Sequence, residues 1–181
     1  MTPPVIRDAE PEGDAAACAA VYAPYVAESA VSFEADPPTP EQMAGRIRAY
    51  GVSHAWLVAE VDGRVAGYAY GAPHRPRAAY RWACDVAVYL DAAHHGAGLG
   101  RALYAALFAR LAAQNLRIAV AGVTLPNPAS VALHRAMGFE PVGTYRRIGW
   151  KNGAWHDVAW WQLDLAPGAA DPPAEPRPAR R

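Results

Sequence analysis

Val86-Ala87-Val88-Tyr89-Leu90 leads into His94-His95-Gly96-Ala97-Gly98-Leu99-Gly100-Arg101, and this junction decides the fold. The first run is apolar and β-branched, so it reads as a buried strand. Arg101 to Leu111 reads as a helix, because Leu99, Leu103, Leu107 and Leu111 recur at i, i+4 on one face. The first N–H groups of a helix lack partners, and the helix dipole adds partial positive charge there. A strand, a glycine turn and a helix start therefore form an anion site. Glycines let the backbone take positive φ and come close to a phosphate. An ordinary β–α turn shares the pattern, so the stretch alone points to an anion and does not name it. Gly96 to Arg101 lacks the Gly-Lys-Ser/Thr ending of a P-loop, which excludes a nucleoside-triphosphate site of that kind.

The 181 residues suit one domain with a sizeable core. Seventeen basic residues balance 17 acidic ones, and there is no basic stripe, so no nucleic-acid partner is expected. Cys18 and Cys84 form no metal or redox motif. No metal is expected, and so few thiols fit a reducing cytoplasm. Met1 to Asp8 lacks the apolar core of a signal peptide. No apolar run approaches the roughly 20 residues of a membrane span, so no membrane association is expected.

Along the chain, Pro4 to Ala9 is a strand candidate and Asp14 to Glu28 a helix that Pro24 bends or ends. Val31 to Glu34 reads as extended, and Glu41 to Tyr50 as a helix capped by Thr39. Ala55 to Val61 and Arg64 to Tyr70 flank Asp62-Gly63, a strong hairpin signal. Pro73 to Arg77 is a loop, Ala79 to Leu90 an interrupted strand and Arg117 to Val123 a strand. Asn127 to Met137 is a helix stopped by Gly138, and Phe139 to Arg146 and Trp155 to Leu165 are the last strands. This order predicts an α+β domain over residues 1–165 with a mixed, mostly antiparallel sheet. Residues 166–181 are rich in Pro and Ala without periodicity and read as a disordered tail.

Two stretches now carry a family resemblance. His95-Gly96-Ala97-Gly98-Leu99-Gly100 resembles the Gln/Arg-x-x-Gly-x-Gly/Ala motif of GCN5-related N-acetyltransferases (GNAT). Asn127 to Phe139, a helix ending in Gly138-Phe139, resembles the family's second signature. Val5 to Leu165 is similar to the phosphinothricin/methionine-sulfoximine acetyltransferase branch, most specifically at Lys151-Asn152-Gly153-Ala154-Trp155-His156-Asp157. Trp56 to Gly63, Gly67 to Tyr70 and Leu125-Pro126-Asn127 add to the likeness. The sequence departs from the pattern at His95 and Gly96, and Asp85 stands where the branch has Glu.

The resemblance implies the GNAT fold, with a sheet splayed at its central strands and helices on both faces. It implies acetyl-CoA as co-substrate, held by the backbone of Val86, Ala87 and Val88 and by His95, Gly96, Ala97, Gly98, Leu99, Gly100 and Arg101. Asn127 and Ser130 would contact the same arm, and an N–H near Val86 would polarise the thioester carbonyl. Asp85 is the expected base, acting through water; its alternative is a structural Asp that bonds a loop or pairs with Arg77. His134 takes a place where many members carry a tyrosine, and it could protonate the leaving thiolate or serve as a second base. Arg75 and Arg77 flank Pro76 and suit a carboxylate or phosphinate by charge and bidentate geometry. Phe33, Tyr70, Tyr80 and Trp82 would wall the acceptor pocket. The expected acceptor is a small amino acid or its phosphinate, sulfone or sulfoximine analogue. A polyamine, a protein N-terminus, and a silent acyl-CoA sensor are the alternatives. Relatives are commonly homodimers, and Trp150, Trp155, Trp160 and Trp161 offer apolar surface for a second copy.

Overall fold

A computed structural model describes residues 3–179. Asp62 and Gly63 both take positive φ, 49° and 75°, and join β2 (Trp56–Val61) to β3 (Arg64–Pro73) in a tight hairpin. The other strands are β1 (Val5–Asp8), β4 (Ala83–Leu90), β5 (Ile118–Leu125), β6 (Glu140–Lys151) and β7 (Ala154–Asp164). They form one seven-stranded sheet in the order β1-β2-β3-β4-β5-β7-β6. Every neighbouring pair is antiparallel except β4 and β5. The expected mixed α+β sheet is therefore present.

Helices α1 (Pro11–Ala27) and α2 (Pro40–Ser53) cover one face, and α3 (Leu99–Ala113) and α4 (Pro128–Ala136) lie on the other. Alternation along β2 explains why it reads as an unbroken apolar run. Leu57 and Ala59 join the core under α3, while Trp56 and Val58 join the core under α1 and α2. Thr39 caps α2 as expected, in a reciprocal box with Gln42. Pro24 does not end α1, which continues to Ala27 with Glu28 N–H bonded to the Pro24 carbonyl at 2.9 Å. Cys18 and Cys84 are buried and unbridged, and burial pushes both thiols up to about 12.

The parallel pair is short. Ala83, Cys84 and Asp85 pair with Ile118, Ala119 and Val120, and beyond these residues the two strands part. On its other side β4 stays paired with β3 as far as Leu90.

Three segments differ from the sequence reading. Val31 to Glu34 is a bend and not a strand. β6 runs five residues past Arg146, across an irregularity at Tyr145 to Gly149 where Arg147 takes φ 49°. The described tail, 166–179, is not a free chain. Trp82 Nε1–H donates to Ala174 O, Asn115 to Glu175 O, Gln114 to Arg177 O and Arg117 to Ala170 O. Arg177 and Ala179 N–H donate to Gln114 O and Val52 O. Side-chain polar groups near the ends of α2 and α3 and the start of β4 thus hold an aperiodic segment that composition could not place.

Candidate active site

The parting of β4 and β5 exposes backbone groups whose direction follows from the ladder. Asp91 N–H donates to Ala66 O of β3 at 2.9 Å. Leu90 points the other way, its carbonyl accepting from the Tyr25 hydroxyl at 2.7 Å. Alternation then turns the N–H and C=O of Val88 and Val86 away from β3 and toward β5. The final pair, Asp85 with Val120, is closed by Val86 N–H on the Val120 carbonyl. The first donor left facing the gap is therefore Val88 N–H, two residues on from Val86. The gap lies between Val120 at one end and the Tyr25 hydroxyl at the other.

This cleft is lined by Val86, Ala87, Val88 and Tyr89 from β4, Gly122, Val123 and Thr124 from β5, and Asn127, Ser130 and His134 from the second signature. Residues of β4 and of the second signature thus meet in one place. The glycine turn lies at the far end of β4. Gly96 and Gly98 take φ of 77° and 80°, where a side chain would be strained, although a Cβ at either would meet nothing within 4 Å. Gly98 is the N-cap of α3 and supplies no side-chain cap, in contrast to Thr39 on α2 and Asn127 on α4. Ala102 N–H is the first to bond inside the helix, to Gly98 O, which leaves Leu99, Gly100 and Arg101 N–H for a ligand. His95 turns aside, its Nε2 3.0 Å from the Tyr25 hydroxyl.

Asp85 stands where the strands part. Its neighbours Cys84 and Val86 pack under α3, so Asp85 projects toward the α1 side of the sheet. Its partner is not Arg77. Oδ1 lies 2.7 Å from His74 Nδ1. Desolvation raises the Asp85 pKa, and the bond from His74 and the charge of Arg75 oppose this. Arg75 and Arg77 are both exposed on the loop before β4. Sequence reading passed over His74; its only signal was its place beside Arg75.

His134 lies on the opposite side of the sheet and is 3% exposed. Its Nδ1–H donates to Ser130 O at 2.8 Å, and Nε2 accepts from the Tyr104 hydroxyl at 3.2 Å. Burial lowers its pKa, so the neutral ring is favoured. Tyr104 is itself buried beside Phe108 and Phe139.

The expected aromatic wall divides. Phe33 lines an open cavity of about 350 Å³ with Val31, Gly122, Thr124, Tyr145, Ile148, Val158 and Trp160. Val31, Gly122 and Thr124 also line the cleft, so the cavity opens onto the gap. Tyr70 instead belongs to a stack with Trp56, at 4.4 Å, and Tyr50. Tyr80 sits edge-on to His74, and Trp82 is tied to the tail. Ile148 lies past Arg146, where the sequence reading ends β6, while Tyr145 and Trp160 fall inside predicted strands that no local pattern assigns to a pocket.

The Lys151–Asp157 signature builds this cavity. Lys151 Nζ donates to Val26 O, Ser32 O and Glu34 O at 2.6, 2.7 and 2.9 Å. It thereby ties the loop carrying Phe33 to the β6–β7 hairpin. Gly149 leaves room for that ring, since a Cβ there would lie 2.2 Å from Phe33 Cε2. His156 Nε2–H donates to Lys151 O, and Arg147 N–H donates to Asp157 Oδ1. His156 and Asp157 thus brace the β6–β7 hairpin through hydrogen bonds.

An opened parallel pair beside an uncapped, glycine-fed helix start is the arrangement of an acyl-CoA-dependent transferase. The family model for the acetyltransferase (GNAT) domain matches residues 6–160, and the chain belongs to the GNAT acetyltransferase family. Its reaction is N-acetylation with acetyl-CoA as donor. The chain is 41% identical over 178 residues to a phosphinothricin N-acetyltransferase of Streptomyces viridochromogenes, covering 98% of this chain and 94% of the relative. It is 37% identical over 116 residues to an L-methionine sulfoximine/L-methionine sulfone acetyltransferase of Pseudomonas paraeruginosa, covering 64% of this chain and 67% of that one. A phosphinothricin acetyltransferase of Sinorhizobium meliloti, solved in complex with AcCoA, superposes with a TM-score of 0.90 at 35% identity, covering 96% of this chain and 95% of that one.

The role of Lys151 is testable. Lys151→Met keeps the stem and strands three carbonyls. Stability should fall by about 2 kcal/mol, the scale of hydrogen bonds to a charged group. Hydrogen exchange should rise at residues 28–35 and not in α3. Unchanged exchange in that loop would contradict the tie.

Proposed function

We propose that this N-acetyltransferase acetylates the α-amino group of a small amino acid or of its phosphinate, sulfone or sulfoximine analogue. The observation that carries this reading is the cavity at Phe33, which opens directly onto the β4–β5 gap and has the volume of a small-ligand site. The names of the relatives point to the same acceptor class.

Acetyl-CoA supplies an activated acetyl thioester. Leu99, Gly100 and Arg101 N–H hold its pyrophosphate, with Gly96, Ala97 and Gly98 shaping the turn. Val88 N–H polarises the carbonyl, and Asn127 and Ser130 border the arm. Residues on the two sheet faces divide the proton work. Asp85, on the α1 face, receives the proton of the acceptor's ammonium. His134, on the α3 face, exchanges a proton at the leaving sulfur through the Tyr104 hydroxyl. Arg75 and Arg77 attract the acceptor's acidic group at the rim. A polyamine acceptor fits poorly beside these two cations.

We also infer a homodimer. Val142 and Trp150 on β6 are 63% and 61% exposed, and Tyr145, Ile148 and Trp155 are exposed on the same hairpin. A second copy seated there would cover the edge strand. Two buried thiols suit a reducing compartment such as the cytoplasm, and no helix among the described residues is long and apolar enough to cross a membrane.

Four measurements follow. With acetyl-CoA, thiol release should occur with phosphinothricin or methionine sulfoximine and not with spermidine. Replacing both Arg75 and Arg77 by Ala should raise the acceptor KM about tenfold or more and leave that for acetyl-CoA nearly unchanged. Release with spermidine alone, or equal rises in both constants, would contradict the acceptor reading. His134→Ala and Tyr104→Phe should each lower kcat by about 100-fold with CoA affinity kept; an unchanged kcat removes the pair from the mechanism. Sedimentation should give twice the chain mass of 19.3 kDa, and a monomer would refute the dimer.

A further inference from the structure

His74 follows directly on β3, and its side chain is 17% exposed against 38% for Asp85. An ionised carboxylate can only accept, so the 2.7 Å contact with Asp85 Oδ1 places a hydrogen on His74 Nδ1. Among the described residues, no hydrogen bond from the protein reaches Asp85 Oδ2. One carboxylate oxygen is therefore fixed and the other is open. The imidazole is itself held, edge-on to Tyr80 at 5.9 Å and 71°. Arg75 is the charged group that acts on Asp85 from the same loop. On β5 the residue paired with Asp85 is Val120, which carries no charge. Cys84 packs on the other face.

We propose that His74 is the positioning residue for amine deprotonation, its Nδ1–H fixing Asp85 Oδ1 so that Oδ2 faces the acceptor's ammonium. This rests on the reading of Asp85 as the proton acceptor. In that step an N–H bond of the ammonium breaks and an O–H bond forms on Oδ2, directly or across one water. The nitrogen keeps the electron pair, and nothing is oxidised or reduced. Asp85 is one methylene shorter than a Glu, so its carboxylate lies closer to the strand and is harder to solvate. A fixed donor behind it offsets that loss and sets its direction, which a free Asp rotamer would not hold.

The test is the pH profile of kcat/KM for the acceptor, with acetyl-CoA saturating, in the full chain and four variants. Asp85 must be ionised to accept the proton. Removing a donor that favours its ionised form raises its pKa. The acid limb of His74→Ala should therefore move up by about one pH unit. Asn presents Nδ2–H near the position of Nδ1–H, so His74→Asn should return the limb toward the parent. Gln reaches the Nε2 position instead, so His74→Gln should not. A parent-like limb in His74→Ala overturns the proposal, as does equal failure of Asn and Gln in folded protein. Asp85→Asn separates the two readings. A loss of about 100-fold supports Asp85 as proton acceptor, and a retained rate sinks that reading whatever His74 does. Melting temperature and CoA binding of each variant show that the fold is intact. If His74→Ala fails to fold, the Asn–Gln comparison decides.

Discussion

An unpaired backbone N–H or C=O inside a sheet costs roughly 1–3 kcal/mol when no partner replaces the lost one. Here the sheet gives up such pairs in its centre. β4 and β5 bond over three residues and then diverge, while β3 continues to support β4 as far as Leu90. The groups left facing the gap need a ligand with its own donors and acceptors. Much else serves this one opening. Tyr25 closes its far end, Val120 closes the near end, and α4 brings Asn127, Ser130 and His134 to its rim.

The opening also divides the chemistry. Strand alternation sends Asp85 to one face and Cys84 and Val86 to the other, where His134 and Tyr104 lie. The cavity proposed for the acceptor belongs to the Asp85 face, because Gly122 and Thr124 point the same way along β5. That face is covered by α1 and α2 only over β1 to β4. Over β5, β7 and β6 it is walled instead by the loop carrying Phe33, which Lys151 ties down through three carbonyls. The branch signature is thus a construction element of the cavity proposed for the acceptor.

The fold was legible wherever a local rule acted. Asp62-Gly63 marked a hairpin because both residues adopt positive φ there. Thr39 and Asn127 marked helix starts because each bonds the orphan N–H groups it was suited to cap. The glycine turn was legible for the same reason. The cofactor side of the site was legible in outline, since it is built from backbone and two contiguous motifs. The acceptor side was not. His74 meets Asp85 only because β3 and β4 pair in register, and no local pattern states that register. Ile148 was lost where an irregularity at Arg147 breaks the alternation. Tyr70 and Trp82 were placed in the pocket because an aromatic side chain says nothing about which face it joins. The tail was read as disordered because its order comes from Trp82, Gln114 and Asn115, far away in sequence.

In this proposal the β4–β5 gap and the uncapped start of α3 together hold the acyl donor through main-chain groups. Backbone amide NMR during a titration with CoA tests it directly. Val88, Leu99, Gly100 and Arg101 should shift together, and their hydrogen exchange should slow. Four unmoved amides, with the shifts gathered at the groove by Leu125, Trp155 and Asp157, would contradict main-chain binding of the donor.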